Sequence, residues 1–193
     1  GCRPSAAAGG IRGVSKPTGV RELRIRPAQH QHNPAGTVSR SRHHRRTKDG
    51  SIVFSQTQTL NMAFPNQTIY NAGQAGQGTA PATVDFVALS PNEYNVTEAQ
   101  GTATFPISGI SKVRNNDGGT TFNGEVRAVT DGFKPSDGQQ IKVSLVLRDK
   151  QGAIIYGEMA FVDWPDNGQS MPFSILVYDL PDYTSYESYA QIW

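Results

Sequence analysis

From Ser51 onward the chain is built of short apolar alternations with a period of two, each closed by Gly, Asn, Asp or Pro, and no stretch of ~10 residues carries a helical period. Side chains that alternate in this way fall on opposite faces of a strand, so one face of each run can serve a core. An antiparallel all-β fold is the expected outcome. The first run sets Ile52, Phe54, Gln56, Gln58, Leu60, Met62 and Phe64 on one face and stops at Pro65-Asn66. Residues 71–82, with Gly73, Gly76, Gly78 and Pro81, read as a loop before a strand over 83–89.

A run over 102–113 then meets Asn116-Asp117-Gly118-Gly119, which supplies the positive-φ residues of a tight hairpin, and 122–129 returns. In the clearest hairpin Ile141, Val143, Leu145 and Leu147 alternate, Asp149-Lys150-Gln151-Gly152 turns, and 153–162 comes back. With runs over 171–178 and 183–193 the total reaches about eight strands, which suits an immunoglobulin-like or jelly-roll-like antiparallel sandwich. Leu145 and Leu147 are expected to point into its core together with Phe173 and Ile175, since each pair has i, i+2 spacing.

Charge divides the chain near Gly50. Residues 1–48 carry eleven Lys and Arg against Glu22 alone, a formal +10, while residues 49–193 carry seven bases against fifteen acids, a formal −8. The first segment has no Phe, Trp or Tyr and no sustained period. Residues 1–49 are therefore expected to form a flexible, disordered basic arm and residues 50–193 the sandwich domain. A short alternation over 21–26, with Leu23 and Ile25, suits addition to a partner's sheet edge. Arg40, Arg42, Arg45, Arg46 and Lys48 are the candidate polyanion-binding residues, because they can neutralise phosphates and Arg adds forked donors. Nucleic acid, an anionic envelope polymer and an anionic membrane surface all fit that charge. No stretch approaches the ~18 consecutive apolar residues of a membrane span.

The same distribution argues against catalysis. All four histidines (His30, His32, His43, His44) and the single cysteine, Cys2, precede Gly50, so residues 50–193 hold no imidazole and no thiol for a nucleophilic site. A loose histidine cluster on an arm has no fixed ligand geometry, and no metal or cofactor is expected. Glu125, Asp149, Glu158 and Asp163 are the carboxylates from which a hydrolytic pair would be drawn, though acids on a sandwich usually sit on solvated outer faces. Asp163, Asp166 and Asn167, around Trp164, read as turn chemistry rather than a calcium loop. Asn66-Gln67-Thr68 and Asn95-Val96-Thr97 fit the glycosylation sequon. Tyr183, Tyr189 and Trp193 would share one face of a final strand, with Tyr186 and Ile192 on the other. One of those faces packs on the core, and the other is free to present rings to sugar or protein. Trp164, Tyr183, Tyr186 and Tyr189 are accordingly the candidate ligand-facing aromatics.

Gly124-Glu125-Val126, the strand Ile141 to Asp149 with Gln151-Gly152, the return over 154–161, and Asn167-Gly168-Gln169 before Pro172-Phe173-Ser174-Ile175 resemble the FxLYD-type domain, an immunoglobulin-like sandwich of bacterial surface proteins. Leu145 and Arg148 stand where that pattern has its Phe and Tyr. The resemblance spans roughly residues 100–193 and implies a non-catalytic extracellular module at a cell surface, with a protein or envelope-polymer partner. Gly1-Cys2 and the small polar residues after it resemble the surroundings of a bacterial lipoprotein cleavage site. The alternative layout is a capsid-type subunit of a virion, a homo-oligomer whose basic arm binds nucleic acid.

Overall fold

A computed structural model describes residues 18–24, 34–35, 39–46, 48, 50, 52–60, 62–64, 67–74, 83–89, 97–98 and 100–193. In chain order the strands are β1 (Thr18–Arg24), β2 (Pro34–Ala35), β3 (Ser39–Arg46), β4 (Ile52–Leu60), β5 (Thr68–Gln74), β6 (Thr83–Leu89), β7 (Thr97–Glu98) and β8 (Thr102–Thr104). They continue with β9 (Ile107–Arg114), β10 (Thr120–Arg127), β11 (Val129–Asp131), β12 (Gln140–Arg148), β13 (Ile154–Asp163), β14 (Ser170–Val177) and β15 (Ser185–Ile192). Every pairing between strands is antiparallel, and the described residues include no helix.

Two three-stranded sheets, ordered β14-β10-β9 and β13-β12-β15, face each other as a β-sandwich. Their inner faces interleave Phe122 and Val126 of β10, Phe173, Ile175 and Val177 of β14, and Ile141, Val143, Leu145 and Leu147 of β12. The expected core phase of Leu145, Leu147, Phe173 and Ile175 is the observed one. Gly124 faces this core too, and a Cβ there would lie 2.7 Å from Cζ of Phe173, so the ring occupies the space a side chain would need. Beside the main core, the pair β8-β11 caps a smaller cluster of Phe64, Ala103 and Ile192, with Phe105, Phe133 and Trp164 packed against it.

The expected turns close the hairpins. At the β9–β10 connection Gly118 has φ +88°, and Asp117 Oδ1 accepts the Gly119 amide at 2.9 Å. Between β12 and β13, Asp149 Oδ1 accepts the amides of Gln151 and Ala153, each at 2.9 Å, and Gly152 takes φ +80°. Short polar side chains that satisfy local amides make such turns specific. The run expected over 102–113 is divided into β8 and β9 at Phe105-Pro106, as a proline without an amide hydrogen requires of a ladder.

Strands also lie outside the runs that the side-chain period marks. The first 49 residues contain β1, β2 and β3, and the basic run lies in β3, the central strand of a sheet ordered β4-β3-β6. Its backbone pairs with β4 on one side and β6 on the other. The alternation near Leu23 belongs to β1, which pairs with β5 of the same chain. β5 itself occupies Thr68–Gln74, so the loop expected from residue 71 begins as a strand. Tyr70, Ala72 and neighbours there pair despite Gly73, because the edge of β1 supplies the ladder.

The β1-β5 pair has a second consequence. β12 is buried on both faces, since Lys142, Ser144 and Val146 are as inaccessible as the core residues they alternate with. β5 lies over that second face. Ile69 and Ala72 are each 1% exposed, Tyr70 stacks on Tyr189 at 3.7 Å between centroids, and Lys142 Nζ donates to the Ala72 carbonyl at 3.0 Å. The described fold thus has three layers, with β13-β12-β15 in the middle. Ser144 Oγ and Ser188 Oγ are buried there without a hydrogen-bond partner. Leu147→Ala should lower unfolding free energy by about 2–5 kcal/mol, as expected for a fully buried leucine. Ser188→Ala should leave it unchanged or raise it, because an unsatisfied hydroxyl is removed with little change of shape. Denaturant melts of the two variants measure both, and a loss of similar size at Ser188 would contradict this assignment.

Candidate ligand-binding groove

Past the end of the main core, the inner phase of the edge strand β9 switches from apolar to cationic. Lys112 and Arg114 stand opposite Phe122 and Thr120 in the register, so the positions that face the core lower down here carry cations. Across from them runs the β14–β15 connection. Leu180, Pro181, Asp182, Tyr183 and Thr184 close a groove of about 620 Å³ with Tyr186 of β15.

The two tyrosines are held from below. Tyr186 meets the fully buried Phe122 edge-on at 5.2 Å, Tyr183 lies 6.4 Å from the same ring, and the two tyrosines contact each other at 6.3 Å. Lys112 Nζ donates to the Tyr183 hydroxyl at 3.1 Å and lies 5.2 and 5.8 Å from the centroids of Tyr183 and Tyr186. The hydrogen bond to Tyr183, ahead of that hydroxyl's electrostatic effect, holds the exposed ammonium's pKa above its ordinary 10.5. Rings fixed on the core and lined by two cations bring aromatic faces and positive charge together on one surface.

The four aromatics singled out in the sequence separate into three places. Tyr183 and Tyr186 share the groove, although Tyr183 precedes β15 and does not lie on the Tyr189 face as the alternation implied. Trp164 is half-buried between Phe105 and Phe133, at 5.2 and 5.7 Å, and lines a separate groove of about 460 Å³ with Asp137, Asp163 and Asp166. Asp163 ends β13 and the chain turns over 166–169, where Asn167 Oδ1 accepts the Thr130 amide at 2.9 Å and Gln169 donates to the Asp166 carbonyl. Tyr189 is under the β5 layer. Its hydroxyl donates to Glu187 Oε2 at 2.5 Å, and Arg148 Nε donates to the same oxygen at 3.0 Å. Burial, then the bond to Glu187, pushes the Tyr189 hydroxyl above its ordinary pKa.

Of the candidate polyanion residues, Lys48 is exposed. Arg40, Arg42, Arg45 and Arg46 have their backbone in β3, and their side chains lie outside the described residues. The four carboxylates considered for hydrolysis are not brought together. Glu125 is exposed on β10, Asp149 is occupied by turn amides, Glu158 accepts from Met159, and Asp163 accepts from Gln140 Nε2 at 3.1 Å. Among the described residues no group of three or more His, Cys, Asp or Glu is gathered for a metal, and no helix is long and apolar enough to cross a membrane. Lys112 and Arg114 were missed by the sequence reading, although Lys-x-Arg at the end of a strand, in phase with Phe122 across a hairpin, is a signal that could have found them.

Comparison with protein-family models, with curated proteins and with solved structures finds no match.

The Glu187 carboxyl lies below its ordinary 4.5, held there first by the Tyr189 hydroxyl and then by Arg148. A depressed folded value means that the unfolded chain takes up the proton first, so the contribution is present above 4.5 and vanishes as pH falls through the folded value. Glu187→Gln should therefore cost up to about 1 kcal/mol near pH 7. The difference from the parent should close in melts at progressively acid pH, and a difference that persists unchanged there would contradict this origin.

Proposed function

We propose that this protein is a non-catalytic extracellular binding module of a bacterial surface, whose ligand is an envelope polymer bearing carboxylate or phosphate groups. The observation that carries this reading is the groove itself, where Lys112 and Arg114 flank two tyrosines anchored on Phe122. Planar rings stack against the apolar faces of sugars, while the two cations complement negative substituents. The formal +10 of residues 1–48 supports the same class of partner, because it adds long-range attraction for a polyanion. The resemblance to the FxLYD-type domain supports the surface location.

The test is titration of the full chain with an anionic envelope polysaccharide, a neutral polysaccharide and single-stranded RNA at several salt concentrations. Expected is salt-sensitive binding to the anionic polysaccharide and little to the neutral one. The double variant Lys112→Ala/Arg114→Ala should weaken the anionic polymer about 5- to 30-fold, the equivalent of about 1–2 kcal/mol. Tyr183→Phe, which keeps the ring but removes the hydroxyl that Lys112 meets, should weaken it less. Binding that is unaffected by the double variant would remove the groove from the account. Preferential binding of RNA within a closed shell of many copies would favour the capsid-type reading instead.

A further inference from the structure

The outer face of the sheet β14-β10-β9 carries an apolar patch at one end. Val113, Thr121 and Leu176 form a row across its three strands, and Tyr178 lies two residues beyond Leu176. Val113 is 53% exposed, Leu176 45% and Tyr178 52%, so three of the five large apolar side chains exposed among the described residues gather here. The Tyr178 ring is fixed in place. Its hydroxyl donates to Asp117 Oδ2 at 2.9 Å, while Asp117 Oδ1 accepts the Gly119 amide. A Cβ on Gly119 would stand 2.9 Å from Cδ1 of Leu176 and 3.0 Å from Cε1 of Tyr178, so both side chains rest against bare backbone.

This patch adjoins the groove of Lys112 and Arg114 across the end of the sheet. Thr120 and Val177, which pair, are buried on the inner face, and Tyr178 follows on the outer one. Asp179 then takes φ +56°, a left-handed conformation that aspartate tolerates, and the connection turns to Leu180 in the groove wall. Two residues of chain span at most ~7.6 Å between Cα atoms, so Tyr178 and Leu180 are close. Charge changes sign over the same distance. Lys112 and Arg114 outnumber Asp182 in the groove, whereas the patch and the turn beside it carry Asp117 and Asp179.

From this continuity, and resting on the polymer-binding reading above, we propose that the site extends over the sheet end to Tyr178, a second aromatic subsite for an uncharged sugar, and that the polymer recognised has anionic units spaced by neutral ones. A sugar on Tyr178 sets its apolar face against the ring and Leu176. The Gly119 amide, then the Tyr178 hydroxyl, holds the exposed Asp117 carboxyl below its ordinary pKa, so it is ionised at neutral pH and can accept from a sugar hydroxyl as well. A carboxylate or phosphate at the same place would meet Asp117 at close range. That repulsion separates spaced from uniformly charged polymers.

The experiment is titration of the full chain with di-, tetra- and hexasaccharides of two polymers. In hyaluronan each uronic acid is followed by a neutral N-acetylated sugar, and in polygalacturonate every unit bears a carboxylate. Expected is an affinity for the hyaluronan series that rises with length and exceeds that for polygalacturonate at equal length. Tyr178→Ala should remove the rise, a loss of about 3- to 10-fold for the hexasaccharide, with the disaccharide affected least. Tyr178→Phe, which keeps the ring, should lose less. Asp117→Asn, which retains an acceptor for the Gly119 amide, should narrow the gap between the two series. Thermal melts of each variant check that it is folded. Binding that Lys112→Ala/Arg114→Ala weakens and Tyr178→Ala does not would overturn the extension and leave the groove standing. Equal or tighter binding of polygalacturonate would overturn the spacing of charge, and no binding of either series would overturn both readings. A concentration-dependent dimer that Tyr178→Ala disperses, with oligosaccharide affinity unchanged, would give the patch to a second copy instead.

Discussion

The described fold depends on the burial of β12 from both sides. A sandwich strand ordinarily offers one face to the opposing sheet and the other to water, and its sequence alternates accordingly. β12 alternates only in part: Ile141, Val143, Leu145 and Leu147 occupy one face, and Lys142, Ser144 and Val146 the other, yet none is accessible. Covering a lysine and a serine removes their water. The β1-β5 layer replaces some of it, with the Ala72 carbonyl and the Asn71 amide for Lys142, and nothing for Ser144. A middle layer of this composition is held by apolar burial at Val146 and Ile69 and by the stacked Tyr70 and Tyr189. The polar atoms between them determine where the layers lock.

The groove follows from where the main core stops. Phe122 is the last large apolar side chain of β10 on the inner face, with Thr120 beyond it, and β9 answers with Lys112 and Arg114. The tyrosines of the β14–β15 connection pack down on Phe122 and close what would be an open end of the sandwich. Two roles are therefore combined in Tyr183 and Tyr186, since their inner edges seal the core and their hydroxyl sides meet solvent and Lys112. Loops set on a rigid sheet end are where binding residues commonly sit.

Which parts of this were legible in the sequence depended on how local the controlling physics is. The hairpins at Asp117–Gly119 and Asp149–Gly152, and the inward phase of Leu145, Leu147, Phe173 and Ile175, follow from side-chain period and from turn residues that satisfy their own neighbours. β5 was hidden because Asn71-Ala72-Gly73 carries no strand propensity. It is a strand because β1 pairs with it along its whole length. β3 was hidden for a related reason, since a run of Arg and His on one strand looks like a solvated tail until β4 and β6 are set beside it. Tyr183 was assigned to the wrong face because the final strand begins two residues later, at Ser185. Lys142 gave no signal at all. A single lysine in an alternating strand reads as a solvent-facing residue, and only a layer contributed from 70 residues away makes it a buried one.

That separation also sets an order of events. β1 and β5 leave the synthesis machinery first, yet the surface they cover is completed only when β12 and β15 follow, with Lys142 71 residues behind Asn71. Until then Ile69, Tyr70 and Ala72 have nothing to pack on, and the pair is an exposed two-stranded ribbon, marginal by itself. Long-range pairing of this kind is slow because loop closure precedes its reward. A delay in the arrival of residues 140–192 would therefore leave that ribbon without the layer it covers, as an exposed strand pair open to association.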